Sequence, residues 1–210
     1  MTRRRILEQT ARAIRATGIE RVGISALMGA LGLTHGGFYA HFPSKDALAA
    51  EALAAALAEQ CDRLLAAGED GPAAMVDAYL SPAHRDHPED GCPLPAVAAE
   101  VARGSPAVRR AFTAAFANTV ARLATRLPGD RAAAREDAAL ALIAGMCGAL
   151  LLSRAVDDPR LADRILLAAR AAWQRLLDQA AGAPAARADP AEAEKSETPR
   201  PQPGERAPLP

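Results

Sequence analysis

The sequence predicts an all-α protein of about nine helices, and three observations carry that prediction. Half of the 210 residues are hydrophobic yet only 3% are aromatic, and alanine, leucine and arginine dominate while β-branched residues are scarce. Such a composition favours helix. Apolar residues recur at helical spacing in the longer segments. Breakers cut the chain at "GEDGP" near 70, "SPAHRDHPEDGCP" from Ser81 to Pro93, "GSP" at 104–106, "LPGD" at 127–130 and "DDP" at 157–159.

The first helix is expected over Thr2 to Thr17, where Ile6, Leu7, Thr10, Ala11, Ala13 and Ile14 form one stripe and Gly18 stops it. Ser25 is the expected N-cap of a short second helix, Ala26 to Leu31, ended by Gly32. Thr34 caps a third, His35 to His41, and Pro43 closes it. Ser44 then caps a long fourth helix, Lys45 to Ala66. The last two long helices are expected at Arg131 to Ala155 and Pro159 to Ala180. Residues 181–210 are rich in proline, alanine and charge without apolar periodicity, which predicts a disordered tail.

Two short helices joined by a glycine-containing turn, with a longer helix before them, form a helix-turn-helix. The charge distribution fits a nucleic-acid partner. The chain is neutral overall, but residues 1–48 hold seven Lys or Arg against three Asp or Glu, whereas residues 49–180 hold fourteen against seventeen. Positive charge is thus gathered at the helix-turn-helix end. Gly36 and Gly37 stand where the third helix begins, and each costs a helix roughly 1 kcal/mol relative to alanine. Bare backbone there allows close approach to a duplex. Phe38 and Phe42, four apart, share a face and are read as core. Thr34, His35, Gly36, Gly37 and Tyr39 occupy the other face or the N-terminal end and are the DNA candidates. Tyr39, His41 and Lys45 are placed to meet phosphates. Arg3, Arg4 and Arg5 form either a basic arm reaching flanking phosphates or a solvated terminus.

The stretch "GISALMGALGLTHGGFYAHFPSKDALAAEAL" resembles the TetR family of bacterial transcriptional repressors, most strongly over Ile24 to Leu48. The segments "GCPLPAVAAEVA" and "SRAVDDPRLADRIL" are similar to those of a subgroup. The resemblance implies a DNA-binding domain over 1–48 with its helix-turn-helix at about 25–42, continuing through a linking helix at 45–66. An effector-binding and dimerisation domain would follow over 67–180. Ser25, Thr34, Tyr39, His41 and Lys45 would take backbone-positioning roles, while His35, Gly36 and Gly37 approach the major groove. One departure stands out: where many members carry Ile-Ala followed by two charged or polar residues, this chain has Leu27, Met28, Gly29 and Ala30, so phosphate contacts from the second helix are in doubt. The family's members are usually homodimers through their last two helices. A two-fold dimer sets recognition helices about 34 Å apart, matching a palindromic operator.

In the first of those two helices Ala141, Ala144, Gly145, Gly148 and Ala149 keep one side small; the second carries Leu161, Ile165, Leu166, Ala169, Trp173, Leu176 and Leu177. Either set serves a dimer or the internal core. The effector pocket is expected to be apolar and lined by Met75, Tyr79, Leu94, Val97, Phe112, Phe116 and Met146. Cys92 follows Gly91 at the start of a helix, where a thiol pKa is lowered; it is either an electrophile or oxidant sensor or a small half-buried residue. His84, His87 and Cys92 share one loop whose spacing fits no zinc pattern.

Three widely spaced cysteines, Cys61, Cys92 and Cys147, point to reduced thiols. No secretory leader is legible, and the longest apolar run, Ala138 to Leu152, is short for a bilayer. A cytoplasmic protein without membrane, metal or cofactor partners is expected. No nucleophile motif or phosphate-cradling loop is present, which speaks against an enzyme. The remaining alternative is a helical adaptor that binds only protein.

Overall fold

The computed structural model describes residues 2–182, and within them nine α-helices and three short 3-10 turns, with no strand. Helix α1 (Thr2–Thr17) buries Ile6, Thr10, Ala11 and Ile14 on one face, and Gly18 takes a positive φ of 85° at its end. Helix α2 (Ile24–Ala30) follows, then a 3-10 turn at Gly36–Ala40 and the long α3 (Lys45–Ala67). Buried Leu27, Met28, Phe38, Phe42, Leu48 and Leu53 join α2, the turn and α3 to the α1 stripe. This three-helix unit presents the turn.

Two local expectations change here. Ser25 does not cap α2; extended Gly23 does, without a side-chain bond, and Ser25 falls inside the first turn. The third element is a 3-10 turn of five residues and not an α-helix from His35 to His41. Two glycines at its start and Pro43 just beyond its end remove the propensity that a full α-turn series needs. Ser44 caps α3 as expected, its hydroxyl accepting the Ala47 N–H at 3.1 Å.

Helix α3 leaves the three-helix unit and runs into the rest of the molecule, packing on α1 and on α7 (Pro106–Ala124). Between them come α4 (Pro72–Tyr79), the five-residue α5 (Pro82–Asp86), a 3-10 turn at Pro88–Asp90 and α6 (Leu94–Arg103). Helices α8 (Ala132–Ala155) and α9 (Pro159–Gly182) form an antiparallel pair joined at Val156 to Asp158. Helix α9 reaches Gly182, two residues into the stretch expected as tail; residues 183–210 lie outside the described residues.

Helix α8 follows its expected bounds to within one residue. Its 24 residues contain an 18-residue window of mean hydropathy 1.8, a length and composition that a core helix shares with a membrane-spanning one. One side of it lies against α6, α7 and α9. Its small residues divide between two faces. Gly145 and Ala149 face inward, and a Cβ on Gly145 would meet the Trp173 ring at 2.5 Å. Ala141, Ala144 and Gly148 face outward, and a Cβ on Gly148 would meet nothing.

Candidate nucleic-acid interface and effector cleft

The 3-10 turn is held from beneath and open above. Phe38 and Phe42 are 0% and 1% exposed and stack at 5.8 Å between ring centroids. Tyr39, between them in sequence, is 59% exposed and meets Phe38 edge-on at 5.1 Å. Thr34 stays exposed while its hydroxyl accepts the Gly37 N–H at 3.2 Å. The Ser25 hydroxyl lies 2.9 Å from His35 Nδ1, tying α2 to the start of the turn. Ser25, Thr34, His35, Gly36 and Tyr39 therefore share one open face, with Gly37, His41 and Lys45 half-buried beside it. Lys45 Nζ donates to the Glu20 carbonyl at 2.9 Å.

Neither glycine is required by the fold. Both have ordinary negative φ; a Cβ on Gly36 would meet nothing, and one on Gly37 would make only ordinary contacts with Thr34 and Met28. The outer face of α2 offers Ala26, Gly29 and Ala30, with Leu27 and Met28 buried, so Ser25 is its one polar side chain. The three arginines near the N-terminus are not a free arm. They lie in α1, where Arg3 grips Glu51 with both carboxylate oxygens at 2.6 and 2.7 Å and sits 4.6 Å over Phe42, while Arg4 pairs with Glu8 at 3.5 Å.

A second feature is a cleft of about 230 Å³ bounded by α3, α4, α5 and the 3-10 turn before α6. Its walls include Gln60, Arg63, Leu64, Ala78, Tyr79, Ala83, His84, His87 and Asp90, a few polar groups set in a mostly apolar lining. Of the seven expected pocket residues only Tyr79 borders it. Met75, Leu94, Val97 and Met146 are buried in the common core, and Phe112 and Phe116 stack 5.7 Å apart, half-buried on α7. Sequence spacing identifies apolar faces but cannot distinguish a core face from a pocket lining.

His84 is the residue that organises this cleft. Its Nδ1 donates to the Tyr79 carbonyl at 2.7 Å and its Nε2 accepts the Cys92 N–H at 2.8 Å. Those partners fix the neutral tautomer, and burial holds its pKa down at about 4. Arg154 of α8 donates to the carbonyls of His84 at 2.6 Å and Arg85 at 3.1 Å, satisfying the end of α5. No group of three His, Cys, Asp or Glu side chains suited to a metal occurs among the described residues.

The Cys92 expectation is corrected in its premise. Helix α6 begins at Leu94, and Cys92 is 2% exposed; burial pushes its thiol up despite hydrogen bonds with the Tyr79 hydroxyl and the Leu94 backbone. Burial likewise raises Cys61, and takes Cys147 to about 12. The Tyr79 hydroxyl is also buried, beside the Cys92 thiol.

A helix-turn-helix on a long helix that leads to a cleft in a second helical unit defines a class: a DNA-binding unit joined to a helical sensing unit. Comparison with known proteins gives the family. Residues 6–52 match the model for bacterial regulatory proteins of the tetR family, and residues 70–166 match that for the LmrA/YxaF-like transcriptional regulator C-terminal domain. Together they span more than half of the chain, which belongs to the TetR family. The structure of a TetR-family transcriptional regulator from Streptomyces coelicolor is similar with a TM-score of 0.56 and 25% identity, over 83% of this chain and 95% of that one. The reduced form of NemR from E. coli shares the fold with a TM-score of 0.63 and 21% identity, over 80% of this chain and 95% of that one. No curated protein matches. The chain is a ligand-responsive transcriptional regulator with a helix-turn-helix DNA-binding domain, of a family that binds DNA, dimerises and answers to small-molecule effectors.

Proposed function

We propose that this protein is a cytoplasmic, non-enzymatic repressor that occupies a palindromic operator as a homodimer and leaves it when a small molecule enters the effector domain. The DNA-binding domain is read as residues 1–48 with the linking helix beyond it, and the effector and dimerisation domain as 67–180. One observation carries the reading: an exposed turn carries two glycines that the fold itself does not need. Residues that cost helix propensity and relieve no internal clash are explained by an external surface that comes close. His35, Gly36 and Gly37 would lie toward the major groove, with Ser25, Thr34, Tyr39, His41 and Lys45 on the phosphates.

The dimer reading rests on α8 and α9. On α8, Leu140, Ala141, Ala144, Gly148, Leu151 and Leu152 recur at helical spacing on the outward side, and Leu140, Leu151 and Leu152 are exposed. On α9, Leu161, Leu167 and Leu176 are exposed as well. Two such pairs facing each other make a four-helix interface. The cleft's mostly apolar walls, with Gln60, Arg63 and His87 among them, suit a largely apolar effector that carries a hydrogen-bonding group.

Footprinting the purified chain on its own upstream region tests the proposal. A symmetric protected site, lost as salt rises and lost in Gly37→Glu, is the expected result. A folded, dimeric chain that protects no DNA there, or binds without salt dependence, would favour the adaptor reading.

A further inference from the structure

Besides α3, which runs unbroken from Lys45 to the cleft wall at Gln60 and Arg63, two polar contacts tie the cleft side of the molecule to the helix-turn-helix, and both lie on the stretch that runs from the cleft wall into α6. At its far end stands Glu100, in the last two turns of α6. Its Oε2 accepts the N–H of Ile19 at 2.5 Å and that of Glu20 at 3.3 Å. Those amides follow Gly18, whose φ of 85° turns the chain so that successive N–H groups converge into an anion-binding hollow. A Cβ on Gly18 would run into the Glu100 carboxylate, so this position needs glycine for both conformation and space.

The same loop leads onward. The Glu20 carbonyl accepts Lys45 Nζ at 2.9 Å, and Lys45 opens α3 beside the proposed DNA face. At the near end of the stretch, Asp90 lines the cleft and pairs with Arg12 of α1 at 3.3 Å, with Glu89 at 3.9 Å from the same guanidinium. The two contacts differ in worth. Arg12 and Asp90 side chains are 55% and 62% exposed, and such a pair contributes little. Glu100 makes two charge-assisted bonds to backbone in a half-buried site, the stronger kind.

We infer that Glu100 is a positioning residue of the regulatory response: its carboxylate, seated on the Ile19 and Glu20 amides, couples the state of the cleft to the placement of the helix-turn-helix. This rests on the proposed reading of the cleft and of the DNA face. Movement of the segment from His87 to Pro93 is carried by α6 to the loop after α1, and the loop's Glu20 carbonyl sets where Lys45 sits. Coupling is reciprocal, so DNA must alter the cleft as an effector alters DNA binding.

That reciprocity permits a test with DNA as the only ligand. Hydrogen–deuterium exchange is followed by mass spectrometry on the full chain, with and without the upstream duplex it protects in footprinting. In the parent chain, DNA is expected to slow exchange at the recognition turn and to change it over residues 84–94 by about fivefold or more. Glu100→Ala keeps the first effect and loses the second; Glu100→Gln, which retains an acceptor oxygen of the same reach, restores part of it. Arg12→Ala leaves the cleft response within about twofold. A parent chain with recognition-turn protection but an unchanged cleft, or a Glu100→Ala chain whose cleft still responds fully, overturns the inference while leaving the DNA reading intact. Absence of protection at the recognition turn overturns both. If the alanine variant does not fold, the glutamine variant decides: a cleft response equal to the parent's overturns the role.

Discussion

Residues 32–44 and residues 80–93 both link longer helices through short helical pieces, both carry two histidines, and they use their polar groups in opposite ways. In the second, the groups face inward: His84 engages two backbone partners, Arg154 closes two carbonyls, and Arg85 reaches Asp86 at 2.7 Å and Asp163 at 2.6 Å. In the first, two phenylalanines do the holding, and Thr34, His35 and Tyr39 stay on the surface. A connection that shapes the fold satisfies its donors internally, whereas one that meets a partner is anchored by apolar contacts so that its polar side chains stay available. The glycines repeat the contrast. A Cβ on Gly91 would collide with the His84 ring, while one on Gly36 would meet nothing.

The sharpest break in that comparison is Phe38→Ala. Removing a fully buried ring from beneath the turn is expected to cost about 3–5 kcal/mol, read as a fall in the urea midpoint, with the turn lost first. Gly37→Glu is the opposite experiment. It should leave the midpoint within about 1 kcal/mol yet weaken operator binding by roughly 2–3 kcal/mol or more in a gel-shift titration. A Gly37→Glu chain that unfolds would show that the glycine serves the turn and not the duplex.

In the inward-facing region, His84 predicts a pH dependence. Its folded pKa of about 4 lies below the ordinary histidine value of 6.5, so the unfolded chain takes up a proton that the folded chain refuses. Stability from this group is complete above about pH 6.5 and declines as pH falls toward 4, by roughly 2–3 kcal/mol in all. Chemical denaturation at pH 7 and pH 5 checks this, and His84→Gln should flatten the slope. Smaller effects separate the two faces of α8. Gly145→Ala presses on Trp173 and should cost about 1–3 kcal/mol, while Gly148→Ala gains up to about 1 kcal/mol of helix propensity in thermal melts. The smallest contrast lies between two serines. Ser44→Ala removes a real cap and should cost about 1 kcal/mol, whereas Ser25→Ala should stay within about 0.5 kcal/mol in stability while changing DNA affinity.

Much of the fold was legible. The bounds of α1, the Ser44 cap, and the start and end of α3, α8 and α9 to within two residues follow from local signals of propensity, capping and glycine or proline at helix ends. The residues proposed for DNA contact, taken from motif and resemblance, lie near one another because the helix-turn-helix is local in sequence. The cleft was not legible in the same way. Six of seven expected lining residues lie away from the cleft, since an apolar stripe looks the same whether it faces core or cavity. His84, Arg154 and Glu100 carried no local signal, because their partners are set by packing.

By itself, then, the sequence determined what neighbours along the chain can decide: where helices start and stop, which face of each is apolar, and that a bare glycine pair opens the recognition turn. Tertiary structure decided what depends on distant residues. It buried Cys92 and raised its thiol, divided the small residues of α8 between an inner and an outer face, and brought Glu100 onto amides 81 and 80 positions away. Helix propensity acts over a few residues, whereas burial and the meeting of a carboxylate with two backbone amides exist only once the chain has closed on itself.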